Sequence, residues 1–255
     1  MDVSFATEAC PGRDNQDYVV ASDRFAVVLD GVTPLPYLDN GCVHDVPWLA
    51  RTLGMVLADL LSRRGDESLT GIAEEAIAVL RTRHGGSCDL DNPDSPSATV
   101  AMLRVHADAV DHFVLCDSSI VFDMGSGYRV VTDDRTARLP AYDAGTVARL
   151  RNAPGGFWVA STNPVAAQHA LTGSTPLSDV RRAAVLTDGA ARLVERFGQS
   201  WQDVFSILDR AGPRGVLDAV RTAELTKQPA VPGHRGKQFD DAALALCEFR
   251  ASVSD

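Results

Sequence analysis

Aspartates recur at the ends of apolar, strand-like runs in this chain. FAVVLD ends at Asp30 with Gly31 next, AAVLTD ends at Asp188 with Gly189 next, VDHFVLCD ends at Asp117, and AALALCEF is preceded by Asp240 and Asp241. Asp17 opens another run, directly after Asn15 and Gln16. A carboxylate at the lip of a buried strand is partly desolvated, which is unfavourable unless a cation or a hydrogen-bond donor meets it. Several such lips brought together make a hard-oxygen cation site, and oxygen ligands without His or Cys partners point to magnesium or manganese over zinc. The glycine after Asp30 and Asp188 lets the backbone turn sharply and leave a carbonyl free to approach an ion. A single Asp-Gly is equally a strand-ending turn, so the repetition carries the reading.

The elements that must position these carboxylates are legible from periodicity. DYVVAS (Asp17 to Ser22) and FAVVLD (Phe25 to Asp30) are short β-branched runs separated by Asp23 and Arg24, which predicts a hairpin. From Val46 to Arg63, Trp48/Leu49, Leu53, Val56/Leu57 and Leu60/Leu61 recur at helical spacing, with Asp45 as N-cap and Pro47 in the first turn. A second helix begins after Ser68, with Leu69, Ile72, Ala73, Ala76, Ile77 and Leu80 on one face. The Gly-, Asp- and Pro-rich stretch from Arg83 to Pro96 reads as a loop. After it, SATVAMLRVH, VDHFVLCD, SIVFDM and YRVVT predict four successive strands in an antiparallel meander. A short helix (Asp143 to Asn152), a PGG turn, an apolar run at Phe157 to Ala160 and a polar stretch around Gln168 to Ser178 suggest a flap-like segment around 140–180. A strand to Asp188, a helical region from Gly189 to about Glu224, a polar loop from Thr226 to Lys237 and a last strand from Ala242 to Phe249 complete the chain. Blocks of strands interrupted by pairs of helices favour an α+β arrangement over a doubly wound parallel sheet, and without a repeat or linker the expectation is one domain over 1–255.

Composition narrows the partners. With 24 basic against 34 acidic residues the net charge is -10, which gives no electrostatic footprint for nucleic acid or an anionic membrane. No apolar run reaches the roughly 18 residues of a membrane helix, and MDVSFATEAC lacks the features of a signal peptide, so a cytoplasmic location is expected. The five cysteines, Cys10, Cys42, Cys88, Cys116 and Cys247, are scattered and contain no C-x-x-C, which argues against a disulfide framework and against a zinc knuckle.

RDNQD (Arg13 to Asp17), VVLDG (Val27 to Gly31), SATVAML (Ser97 to Leu103), LCDSSI (Leu115 to Ile120), VLTDG (Val185 to Gly189) and FDDAALAL (Phe239 to Leu246) resemble, in order, the signature blocks of metal-dependent serine/threonine protein phosphatases of type 2C, in a divergent bacterial-type form. The resemblance implies a four-layer α-β-β-α sandwich of two antiparallel sheets flanked by helix pairs, with two manganese or magnesium ions at one end. It implies that Asp30 bridges both ions, that the carbonyl of Gly31 binds one, that Asp188 and Asp240 hold the other, and that Asp17 sits at the edge through water. Asp117 becomes a candidate ligand for a third ion, and Arg13 a clamp for the substrate phosphate. The implied substrate is a phosphorylated protein or a small phosphorylated molecule. The chemistry suits such a site: paired cations about 3.5 to 4 Å apart neutralise a phosphate dianion and acidify a water between them, while the Arg fork matches phosphate oxygens.

This chain also departs from the family pattern. After Asp30-Gly31 the family commonly has His-Gly-Gly or Met-Gly-Gly, whereas here Val32, Thr33 and Pro34 follow, so a histidine acid is missing there and His44 is one substitute. Cys116 and Ser119 replace the usual glycine and arginine around Asp117. The other histidines (His84, His106, His112, His169, His234) show no ligand spacing and read as structural or solvated. The departures keep a second reading open, a catalytically silent phosphatase-like binding module.

Overall fold

The computed structural model describes residues 1–33, 39–226 and 237–249. The positions of Pro34 and His234, and most of the loop from Thr226 to Lys237, lie outside the described residues. The elements run β1 (Asp2–Glu8), β2 (Tyr18–Ala21), β3 (Phe25–Gly31), α1 (Val46–Arg63), α2 (Leu69–Arg83), β4 (Ala98–His106), β5 (Ala109–Leu115), β6 (Ser119–Asp123), β7 (Tyr128–Thr132), α3 (Ala144–Leu150), β8 (Leu171–Pro176), β9 (Arg182–Leu186), α4 (Asp188–Glu195), α5 (Trp201–Thr226) and β10 (Ala242–Glu248). The strands form two five-stranded antiparallel sheets, one ordered β1-β10-β9-β6-β7 and the other β2-β3-β4-β5-β8.

Alternation along each central strand explains the layering. Val27 and Leu29 of β3, with Val100 and Met102 of β4, pack under α1 and α2, whereas Ala26, Val28, Ala101 and Leu103 face the other sheet. In the opposite sheet Leu244 and Leu246 lie under α4 and α5, while Ala243, Ala245 and Cys247 point into the inter-sheet layer. Both faces of each sheet are thus buried, so the central strands read as continuous apolar runs without a polar face. The result is the four-layer α-β-β-α sandwich, an α+β fold.

The helix signals operate as expected. The Asp45 carboxylate accepts from Trp48 N at 2.8 Å and Pro47 occupies the first turn of α1, while Ser68 accepts from Gly71 N at 3.1 Å to open α2. The helical region expected from Gly189 to about Glu224 is present as two helices, α4 and α5. Within α5, Gly212 adopts φ +65°, open to glycine at no steric cost, and Pro213 restarts the helix in a new direction.

Three sequence expectations change. The predicted meander of four strands is two hairpins in different sheets, because the chain crosses from β5 to β6 through Cys116 to Ser118, with Cys116 in the left-handed region at φ +71°. The polar stretch inside the supposed flap contains β8, which pairs with β5 from Ala109↔Pro176 to Val114↔Leu171. The Phe157 to Ala160 run of the same segment is buried, and Ala98 and Ala160 exchange backbone hydrogen bonds of 2.8 and 2.9 Å. A further strand, β1, carries no clear alternation in DVSFATE. Both β1 and β8 are edge strands with largely exposed side chains, which is why apolar patterning does not mark them.

Candidate metal centre

Register places the aspartates at one end of the sandwich. Asp30 lies opposite Thr99 and Leu115 opposite Val100, so Asp30 and Asp117 leave the same edge of one sheet, and Gly31 closes β3 opposite Ala98. In the other sheet Ser119 and Leu244 both pair with Leu186, which puts Asp188 and the Asp240-Asp241 pair at the matching edge. Thr187 joins the two: its hydroxyl donates to Asp17 Oδ2 at 2.9 Å and accepts from Ala243 N at 3.0 Å. A Cβ at Gly189 would lie 1.9 Å from the Asp241 carbonyl oxygen, so only glycine lets α4 begin hard against the start of β10.

The electrostatics are those of like charges held together. Asp17 is buried, and among the described residues its Oδ1 has no hydrogen-bond partner. Burial first, then the charges of Asp241, Asp188 and Asp240, raises its carboxyl well above the ordinary range, against the Thr187 hydrogen bond. Asp30 is raised well above that range too, by burial and then by Asp17, Asp188, Asp117 and Asp240. Asp117 accepts from Thr136 Oγ1 at 3.0 Å, yet burial and Asp188 push its carboxyl up to about 6. The donor set is all oxygen, mutually repelling, and includes a buried oxygen with nothing to accept from, so these residues suit a hard divalent cation.

This arrangement sets a pH dependence. A carboxyl raised on folding holds its proton longer in the native state, so its stabilisation is complete below the unfolded value and is lost as pH rises through the folded one. For Asp117 that window runs from 3.8 to about 6. Buried His112, lowered to about 4 by burial and then by Arg129, acts in the opposite sense, so the contribution of Asp117 is read by difference. In chelator-treated protein, thermal melts should show wild type losing stability relative to Asp117→Asn as pH rises across this window. A difference that is flat or rises with pH would contradict the placement of Asp117 among the other acids.

The remaining candidates fall around this group. Asp240 is half-buried, bonded by Arg192 Nη2 at 2.6 Å and by Lys237 Nζ at 3.4 Å. Asp241 is spent on structure, its oxygens accepting from Cys10 N at 2.6 Å and Gln16 N at 3.2 Å. Arg13 is exposed, with Nη2 3.5 Å from Cys10 Sγ and with Asp241 and Asp240 among its electrostatic neighbours. Where a histidine acid was sought, Thr33 donates to Gln16 Oε1 at 2.7 Å and accepts from Lys237 Nζ at 2.6 Å. His44 does not turn toward this group: its ring stacks on Trp48 with centroids 3.8 Å apart and its Nδ1 faces two cysteines. Trp158 is buried and stacked on His169 at 3.5 Å, a packing role. Sequence reasoning missed Thr187, Lys237 and Arg192; only the position of Thr187 beside Asp188 offered any signal.

A family model described as Protein phosphatase 2C matches residues 9–227. No curated protein matches the chain in sequence. Among solved structures, a bacterial serine phosphatase aligns with a TM-score of 0.63 at 13% identity, covering 98% of this chain and 99% of the other. The phosphatase MsPP from Mycobacterium smegmatis, in complex with cacodylate, gives 0.62 at 14% identity over 98% and 99% of the two chains. The catalytic domain of the serine/threonine phosphatase PstP, in complex with two manganese ions, gives 0.58 at 12% identity over 97% of each. At such identities the structural likeness speaks to the fold, while the family model spans most of the chain. No helix among the described residues is long and apolar enough to cross a membrane.

Proposed function

The chain belongs to the protein phosphatase 2C family, a family of metal-dependent serine/threonine phosphatases, and from that premise we propose which of its residues do the work. Asp30 and the carbonyl of Gly31, Asp188 and Asp240 are the residues that would hold two manganese or magnesium ions, with Asp17 beneath them and Asp117 available to a third. When bound, the ions neutralise the phosphate dianion and acidify the attacking water. Arg13, exposed beside Asp240 and Asp241, offers a planar fork to the phosphate oxygens and orients the phosphorus for in-line attack. Lys237, held between Thr33 and Asp240, adds a second positive charge at the rim. Arg192 fixes the Asp240 carboxylate from behind, as outer partners of metal ligands do.

The observation that carries this reading is the buried Asp17 Oδ1, without a hydrogen-bond partner among the described residues, in a group of carboxylates whose burial and mutual charge raise the carboxyls of Asp17, Asp30 and Asp117. It does not favour a silent binding module, which has no reason to keep repelling acids together. The substrate is read as phosphoserine or phosphothreonine in a protein, with a small phosphorylated metabolite as the competing choice because specificity resides in loops. The reading expects manganese-dependent hydrolysis of an aryl phosphate and faster hydrolysis of phosphoserine or phosphothreonine peptides than of sugar or nucleotide phosphates. Chelator should abolish all of it and added manganese restore it. Chelator-insensitive turnover would contradict the metal assignment, and preference for a small phosphate would contradict the protein substrate.

A further inference from the structure

A second cluster of ligand-type side chains lies away from the aspartates. Cys42, His44, His84 and Cys88 each present one ligand atom, and these four atoms lie within 4.8 Å of one another. Cys42 Sγ is 3.6 Å from His44 Nδ1, 3.4 Å from His84 Nδ1 and 3.4 Å from Cys88 Sγ, and Cys88 Sγ is 3.5 Å from His44 Nδ1. Zinc–sulfur and zinc–nitrogen bonds of about 2.3 and 2.0–2.1 Å, set at tetrahedral angles, give ligand-to-ligand edges of about 3.4 to 3.8 Å. The three sulfur–nitrogen edges therefore already have the dimensions of a closed S₂N₂ tetrahedron, and the sulfur–sulfur edge has only to open from 3.4 Å to about 3.8 Å.

The surroundings are built to hold such a site. The Cys-x-His pair sits on the segment leading into α1 and the His-x-x-x-Cys pair follows α2, and the two segments are laced together by Asp89 N to Gly41 O at 2.7 Å and Asn92 Nδ2 to Asp39 O at 3.1 Å. The sulfur of Cys42 accepts from His44 N at 3.4 Å, a contact that favours the thiolate against the burial that, without an ion, raises this thiol. Trp48 stacks on His44 and meets His84 in a T-shaped contact with centroids 4.9 Å apart, fixing both rings, and His84 is buried. The cysteines and His44 keep partial exposure, which leaves an entry path. All five cysteines of the chain are free thiols. The spacing hid this site, because its halves are 40 residues apart and neither is a C-x-x-C.

We propose that Cys42, His44, His84 and Cys88 form a structural zinc site that staples the entry of α1 to the end of α2. Two thiolates and two neutral imidazoles balance the charge of Zn²⁺, and four protein ligands leave no open position, so the ion has a structural role. Binding the folded state alone, it stabilises the fold by mass action. The site is independent of the phosphatase reading, since the aspartate centre offers only oxygen.

The test is cobalt substitution in the reduced, anaerobic, metal-free full chain. One equivalent of Co²⁺ should produce thiolate-to-cobalt charge-transfer absorption with intense visible bands, and one equivalent of Zn²⁺ should remove them. Competition with a chromophoric chelator should show zinc affinity falling by more than about a hundredfold in Cys42→Ser and Cys88→Ser, beyond what loss of an outer-sphere partner does. Asp30→Asn should leave the cobalt spectrum unchanged, which separates this site from the manganese centre. No charge-transfer band in the reduced wild-type chain, a band unaltered by both serine variants, or a chain that binds no metal and merely oxidises to a Cys42–Cys88 disulfide would each overturn the proposal. The wild-type spectrum decides even if a variant folds poorly.

Discussion

Asp30→Asn is expected to lower manganese-dependent phosphatase turnover by more than about a hundredfold, the scale already reached when only an outer partner of a metal ligand is lost. The same substitution should raise the melting temperature of the chelator-treated protein. Both effects follow from one fact, the crowding of Asp30 by Asp17, Asp188, Asp117 and Asp240 in a desolvated place. With cations present, the carboxylate is a ligand and its loss disables the site. Without them, it is one like charge among several, and an amide relieves the repulsion. Asp240→Asn should share the loss of turnover, but without the stabilisation, because Asp240 is bonded by Arg192 and Lys237. Normal turnover by both variants would remove the metal assignment, and a metal-free Asp30→Asn protein less stable than wild type would contradict the crowding.

Arg192→Met is the substitution expected to reduce stability most. The Arg192 guanidinium is almost wholly buried, with a side-chain exposure of 1%, and it bridges Glu224, whose side chain is fully buried, and Asp240. Glu224 also takes Arg221 Nη1 at 2.7 Å, and Arg221 continues to Glu8. Removing one partner of a buried ion pair strands the other charge, at about 3 to 5 kcal/mol, with the lower end expected because Arg221 remains. For a chain of this size the melting temperature should fall by about 6 to 12 °C. Manganese affinity should fall as well, by about 10- to 100-fold, because Asp240 loses its positioning partner. Adding Glu224→Gln to Arg192→Met should recover part of the stability and none of the metal affinity. A melting temperature within about 2 °C of wild type for Arg192→Met would show that the pair contributes little.

How much of this was legible in the sequence depends on which physical signal each residue gives. The central strands and α1 and α2 announce themselves through apolar periodicity and caps, since Asp45 and Ser68 precede helical spacing and bond back to it. The edge strands β1 and β8 are mostly exposed and so carry no such signal. The crossing between sheets at Cys116 depends on a left-handed backbone at a residue type that does not advertise it. The aspartates were legible because each ends or begins an apolar run, a local pattern. Their supports, Thr187 under Asp17 and Arg192 behind Asp240, are tertiary contacts 170 and 48 residues apart in sequence, which no local pattern encodes. The Cys/His cluster gave no sequence signal for the same reason: its two halves lie in separate segments that α1 and α2 bring together.

Diffraction from crystals grown with manganese, recorded with anomalous scattering at its absorption edge, tests the central claim most directly. Two strong peaks are expected at the end of the sandwich, both in contact with Asp30, with Asp188 and Asp240 on one of them and Asp17 behind. Peaks remote from Asp30, or none at this end of the sandwich, would contradict it.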